Sequence, residues 1–431
     1  GATPAFRASA VAPIEALKSH GPGSTRDGNS RFVAGVIVAQ VALSVMLVVA
    51  AGLLTRTFTS LEARDPGFSG DKLLVVRVDG RRAIANPTDR LSTYQRVLEN
   101  VRALPNVTDA ALTGVVPVSD LVFDPPVDMS GVGPLSPSER RLWGNTISPG
   151  WFRTLGIPII AGRDVADTDR PGTPHVVVVN LSFSRKYFNG RSPLGQTITL
   201  PAVMDAPRLP VPMTIVGVVA DAVYASLRET PPPPTMYLPI GQHDEGSFLR
   251  NLESANLIVR SENERPAGLA KSITAAITSL NANFAVTVRP FADQLRDSLA
   301  KERSMALVAG FFGGLALLLA ALGLYGVTTY FVVQRRAEIA IRMALGCAPR
   351  QVVQLLLSRV SWLVVSGVVI GTGLSVWASK FVASLLFGLE PRDPATLVGA
   401  AVTLAAVGTV AGGLPAWRAS RIDPAEVLRD S

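Results

Sequence analysis

Charge is missing from four long stretches of this 431-residue chain. No Lys, Arg, Asp or Glu occurs in 32–55, 304–334, 360–379 or 394–417, runs of 24, 31, 20 and 24 residues. About 20 apolar residues cross a bilayer as a helix. Lipid offers the backbone no hydrogen-bond partner, so a helix is the form such a run takes. The runs therefore read as four transmembrane helices. Because none carries an ionisable side chain, a proton- or ion-coupled carrier is disfavoured. Cysteine is nearly absent: Cys347 stands alone, so the large segment between the first two runs has no internal disulfide. The three histidines, His20, His175 and His243, are scattered, and no His/Cys cluster has metal-ligand spacing. G-x-x-x-x-G-K-[ST], G-x-S-x-G and H-E-x-x-H are all missing. The chain is thus expected to bind no ATP through a P-loop of its own, and to carry no catalytic residue, metal or bound cofactor. Asp164, Asp167 and Asp169 read as a solvated loop without a partner.

What charge there is falls unevenly. The formal balance is +8. Residues 1–31, 334–359 and 415–431 together hold 12 basic and 6 acidic side chains, whereas 55–303 holds 27 and 25. Lys and Arg collect in short cytoplasmic loops. Both termini and the 334–359 loop are therefore expected in the cytoplasm, with 55–303 outside. The basic excess is topological and implies no nucleic acid. The first run is longer than the 7–15 residues of a signal-peptide core, which favours a retained signal-anchor helix. The expected organisation is a cytoplasmic tail and linker (1–31), helix 1 (32–54), an outer domain with its stalk (55–303) and helix 2 (304–333). A cytoplasmic loop (334–359), helix 3 (360–379), an outer link (380–394), helix 4 (395–416) and a tail (417–431) follow. The fold class is an α-helical membrane protein with a large α+β domain, a split βαβ, inserted between helices 1 and 2.

One segment occurs twice. TPAFRASAVAPIEALK (3–18) and LPAWRASRIDPAEVLR (414–429) agree at eight of sixteen positions at a constant offset of 411. The second copy directly follows an apolar run, and the chain starts on Gly1. The expectation is the second half of a longer, duplicated protein; transporters commonly carry such internal repeats.

Within the outer segment, LLVVRVD (73–79) reads as a strand, 88–104 as a helix with Leu91, Tyr94, Leu98 and Val101 on one face, and 107–115 as a strand. MTIVGVVAD (213–221) reads as a buried strand. Residues 256–260 and 285–289 read as strands around a helix at 266–281 with apolar face Leu269, Ile273, Ile277 and Leu280. These make two βαβ-like units split by a Pro- and Gly-rich insertion, roughly 117–210. Pro231–Pro234 reads as a stiff polyproline II connection, with a docking-groove ligand as the alternative. Residues 55–66 and 291–303 both look able to continue helix past the membrane and form a stalk.

In the apolar runs, Gln40 reads as a packing residue, with a substrate contact as the alternative. Gly310, Gly313, Gly314, Gly323, Gly326, Gly367, Gly371, Gly373, Gly412 and Gly413 suit close helix contact rather than a wide polar channel. In the 334–359 loop, Glu338 and Arg342 are an i,i+4 pair, and Ile339, Met343 and Leu345 give an apolar face. Gly346 suits a helix end and Pro349 a helix start. A short amphipathic helix results, either a membrane-surface element or a docking knob.

EIAIRMALGCAPRQVVQLLL (338–357) resembles the loop after the second membrane helix of FtsX-like and MacB-like ABC transporter permeases, and PAWRASRIDPAEVLR (415–429) resembles their C-terminal signature. NTISPGWFRTLGIPIIAGRDV (145–165), VVVVNLSFSRKYF (176–188), SPLGQTI (192–198) and IVGVVADAVYASLRETPPPPTMYLP (215–239) resemble the MacB-like periplasmic core domain. The duplication resembles that of the acidobacterial-type permeases, which lack a fused ATPase. The resemblance implies a multi-pass protein of the bacterial inner membrane and a permease function by mechanotransmission, driven by a cytoplasmic ABC ATPase that holds the ATP. It implies an ATPase-coupling surface at Glu338, Ile339, Arg342, Leu345 and Gly346. Expected partners are that ATPase, the lipid bilayer, and the other half of the duplicated permease or a second copy, with a periplasmic adaptor or outer-membrane channel as further candidates. The alternative is an FtsX-like transmitter that transports nothing and regulates a periplasmic enzyme.

Overall fold

The computed structural model describes residues 25–133, 135–200, 211–242, 253–263, 266–334, 341, 349–382 and 393–419. It divides into a membrane unit, residues 1–60 and 301–431, and an outer unit, residues 61–300.

Among the described residues the membrane unit contains four helices long and apolar enough to span a bilayer. They are α1 (Thr25–Glu62), α7 (Ala300–Gln334), α8 (Pro349–Val382) and α9 (Pro394–Ala419). Pro349 and Pro394 each occupy the first helical position, where the missing N–H costs nothing. Helix α1 runs past its charge-free stretch to Glu62 without a break. On the other flank the helix is interrupted at Leu299, between α6 (Phe291–Ser298) and α7.

The outer unit is one mixed sheet carrying two lobes. The first lobe has β1 (Leu73–Asp79), α2 (Arg90–Arg102), β2 (Val107–Thr113), β10 (Ser254–Ser261), α5 (Ala270–Thr278) and β11 (Ala285–Pro290). Its strand order is β11-β1-β10-β2, all antiparallel, so two βαβ units interlock as the sequence pattern predicts. Their helices cover one face. Tyr94, Val97, Leu98 and Val101 of α2 and Ile273 and Ile277 of α5 are buried against Leu74, Val76, Leu112, Leu257 and Val259. Leu280, expected on the α5 face, is exposed because that helix ends at Thr278.

The second lobe holds β3 (Asp128–Met129), β4 (Trp143–Ile147), α3 (Trp151–Leu155), β5 (Ile159–Gly162), β6 (Val176–Asn180), α4 (Leu181–Phe188), β7 (Thr197–Leu200), β8 (Val211–Val219) and β9 (Thr235–Pro239). It extends the sheet as β4-β9-β6-β8-β7-β3, with β5 on β8. The insertion is therefore larger than 117–210: β8 and β9 belong to it, because Met213, Ile215, Met236 and Leu238 share the core of Val177, Val179 and Phe183. Asn180, fully buried, organises this lobe. Its Oδ1 accepts the Phe183 N–H (3.0 Å), capping α4, and the Thr235 N–H (2.9 Å). Its amide nitrogen donates to the Pro233 carbonyl (2.8 Å), so the proline run is fastened to the lobe rather than free to dock elsewhere.

Candidate functional site: the membrane helix bundle and the outer lobes

Helix α1 is the centre of the membrane unit. Ile37, Val41, Val45, Val49, Leu53 and Thr57, each four residues after the last, are all buried. An i, i+4 row is one packing ridge of a helix, and this one meets residues of α7, α8 and α9 in a single apolar cluster. Two polar side chains bind α1 to α7. Gln40 Nε2 donates to the Leu319 carbonyl (2.6 Å), and the buried Ser44 hydroxyl lies 3.1 Å from the Ala316 carbonyl and 2.9 Å from its own Gln40 carbonyl. Both groups are used in packing, as the sequence reading of Gln40 expects.

Half of the glycines singled out from the sequence sit at helix contacts. A Cβ on Gly371 of α8 would lie 2.7 Å from both the Ala42 carbonyl and Val45 of α1, and one on Gly367 would lie 2.6 Å from Val41. Gly313 faces Ala51, Gly323 faces Gln40, and Gly412 of α9 faces Val360 of α8. Gly310, Gly314, Gly326, Gly373 and Gly413 have nothing within 4 Å. The bundle offers close contacts and backbone-directed bonds. The coupling residues expected from the sequence, Glu338, Ile339, Arg342, Leu345 and Gly346, lie outside the described residues.

In the outer unit the two lobes join at β2 and β4, which pair at the single position Thr113–Ile147. Buried side chains complete the seam. Asn145 accepts the Val115 N–H and donates to the Val115 carbonyl, both 2.9 Å, and Ser148 Oγ accepts the Leu112 N–H at 2.9 Å. Helix α3, bounded by left-handed Gly150 (φ 84°) and Gly156 (φ 79°), is clamped by three arginines. Arg102 donates to the Pro149 carbonyl (2.9 Å), Arg260 to the Thr154 carbonyl (2.6 Å), and Arg153 pairs with the nearly buried Asp109 (2.7 Å).

Between α2 and the 165–171 loop lies a cleft of about 420 Å³. Leu91, Leu98, Val165 and Ile240 line it, together with exposed Glu99, Asp167 and Arg170. Four separate segments build it, so no local motif announces it. Asp169 corrects the reading of a solvated loop. It is 7% exposed and takes both guanidinium nitrogens of Arg163 at 2.8 Å. Burial alone would raise its carboxyl, but Arg163 and the Ala166 N–H outweigh burial and hold it below the ordinary value. For Asp164 burial wins, and the carboxyl is raised despite the Val165 N–H. Among the described residues no group of three His, Cys, Asp or Glu side chains could hold a metal ion.

Comparison with known proteins decides the family. The MacB-like periplasmic core domain matches residues 33–303, more than half of the chain, and the FtsX-like permease C-terminal region matches 310–424. The chain belongs to the MacB-like, FtsX-like permease family. It is thus a membrane protein whose outer domain is periplasmic. The macrolide export ATP-binding/permease protein MacB of Azoarcus sp. is 23% identical over 424 residues, covering 91% of this chain and 56% of that protein. The uncharacterized ABC transporter permease YknZ of Bacillus subtilis is 22% identical, covering 66% of this chain and 69% of YknZ. A probable syringafactin export ATP-binding/permease protein of Pseudomonas syringae is 26% identical over 66% of this chain and 41% of its own length. The chain spans less than half the length of several such curated relatives. Among solved structures, the periplasmic region of MacB from Actinobacillus actinomycetemcomitans is 17% identical and aligns over 56% of this chain and 97% of that one, with a TM-score of 0.36.

Proposed function

We propose that this permease is the transmembrane subunit of an ABC-type export system of the bacterial inner membrane. A separate cytoplasmic ATPase binds the ATP and drives movement of the periplasmic domain. The observation that carries the reading is the build of α1. It is unbroken from Thr25 to Glu62, and its ridge packs against all three other membrane helices. A rod of that kind suits transmission of displacement better than conduction through a pore. The termini and the 334–359 loop face the cytoplasm, following the basic excess of the short loops. Glu338, Ile339, Arg342, Leu345 and Gly346 form the surface that meets the ATPase. The remaining partners are the other half of a duplicated permease or a second copy, and a periplasmic adaptor or outer-membrane channel.

The test starts with copurification of the full-length protein from its native membrane and mass spectrometry of what accompanies it. An ABC ATPase is the expected companion, and its absence in mild detergent overturns the reading. With the ATPase in hand, the paired replacement Glu338→Ala and Arg342→Ala is expected to abolish stimulation of ATP hydrolysis while leaving membrane insertion intact. Unchanged stimulation removes the coupling surface. An accompanying periplasmic hydrolase, with no adaptor or channel, would shift the reading to an FtsX-like signal transmitter.

A further inference from the structure

One ion pair stands at the edge of the apolar band. The charge-free run of α1 ends at Thr55, and Arg56 is the first charged residue beyond it. The charge-free run of α9 begins at Pro394, and Asp393 immediately precedes it. These two sequence boundaries meet in space: Arg56 Nη1 lies 2.5 Å from Asp393 Oδ2. The same carboxylate oxygen accepts the Thr396 N–H at 3.0 Å and the Thr396 hydroxyl at 2.5 Å. Asp393 therefore caps α9 and binds α1 with one oxygen. Its side chain is 13% exposed, against 48% for Arg56.

The surroundings leave little slack. One turn before Arg56, a Cβ on Gly52 would stand 2.8 Å from Thr396 Cγ2, and Thr57 is 1% exposed. The Thr396 hydroxyl and N–H, with Arg56 beside them, hold the Asp393 carboxyl below its ordinary value. Attraction between opposite charges strengthens as the dielectric falls toward the bilayer. Among the described residues, α1 and α9 also share an apolar cluster, whose contacts are nondirectional.

We propose that Arg56 and Asp393 form a tie that fixes the outer end of α9 to α1, so that displacement of α1 carries α9 with it. Arg56 is in this sense a positioning residue. The proposal rests on α1 being the moving rod of an export system, but the tie is measurable without any ATPase. Its failure would leave the transporter reading standing, and failure of that reading would leave the tie in place.

The experiment uses the full chain in lipid nanodiscs with Cys347→Ser and spin labels on Ser60→Cys and Val398→Cys, both exposed and both in the membrane unit. Pulsed electron spin resonance reads the distance distribution between α1 and α9. A single narrow distribution is expected with the tie intact. Arg56→Gln should replace it with a broad or split one, and Arg56→Lys should restore it. Asp393→Asn separates the two roles, since Asn still caps a helix but carries no charge. It should broaden the distribution with helix content unchanged. Wild-type distributions in both Arg56→Gln and Asp393→Asn overturn the tie. So does broadening seen only in Asp393→Ala, which would assign the order to the cap. Should Arg56→Gln fail to fold, Asp393→Asn against Arg56→Lys gives the same decision.

Discussion

The outer unit and the membrane unit are both closely packed, yet they differ in the side chains that stand at their tightest contacts. Among the largest fully buried side chains of the outer unit are Phe152, Phe183, Leu112 and Ile198. In the membrane unit the buried positions include Ala42, Ala316, Ala320, Ala400 and Ala411, with glycines at the closest approaches. Solvent explains the difference. In water, each Å² of apolar surface removed contributes, so bulk in the core is stabilising. Lipid tails are as apolar as a leucine, so burial between membrane helices gains little. Close van der Waals approach and backbone-directed hydrogen bonds remain, and close approach of the helices needs small side chains. The two units should therefore respond in opposite senses to side-chain size.

The largest effect is expected where bulk is removed from the outer unit. Phe183 is fully buried between Tyr187, Phe188 and the valines of β6. Phe183→Ala should cost about 3–5 kcal/mol, the usual range for emptying an aromatic site in a core. Pulse proteolysis of the full-length protein across a urea series measures this directly. A loss below about 1 kcal/mol would mean that the lobe collapses into the gap, and the contrast between the units would weaken.

How far the sequence anticipates each unit follows from the same physics. The apolar runs are legible because lipid imposes one rule on every residue, and each of the four candidate spans overlaps a charge-free run. The first outer lobe is legible because both of its helices carry a clear 3.6-residue period, and β1 comes out at Leu73–Asp79 as read. The second lobe is harder. Strand β6 is buried on both faces, so it shows no alternation, and β3, β5 and β7 have two to four residues each. The Arg163–Asp169 pair spans a loop, where six residues of separation carry no periodic signal. The cleft is built from four distant segments and is invisible until the fold assembles them.

Adding bulk to the membrane unit should give the next largest effect, and α8 supplies its own control. Gly371→Ala would press a methyl against the Ala42 carbonyl and Val45 of α1, both at 2.7 Å. Backbone in the way yields poorly, and overpacking of this kind costs about 1–3 kcal/mol. Gly373 lies two residues along the same helix with nothing within 4 Å. Gly373→Ala should be neutral, or stabilising by up to about 1 kcal/mol through helix propensity. Unfolding in lipid by steric trapping distinguishes the two. Equal behaviour of both variants would show that α1 and α8 do not pack closely in the bilayer.

The smallest effect is expected at Ser44, where it tests the second part of the contrast. Its buried hydroxyl is shared between the Gln40 carbonyl of its own helix and the Ala316 carbonyl of α7. Ser44→Ala removes the oxygen with almost no change of volume, so packing is preserved and only the bond is lost. Hydrogen bonds between membrane helices average about 0.6 kcal/mol and reach about 1.7. They stay small because the same groups find other partners when the helices come apart in the membrane. A loss near about 0.6 kcal/mol in the same unfolding measurement would place the α1–α7 contact in that ordinary range. A loss above about 2 kcal/mol would mean that Ser44 and Gln40 act together, since Gln40 donates to Leu319 one turn along α7. Adding Gln40→Leu would then cost much less in the Ser44→Ala background than in the wild type.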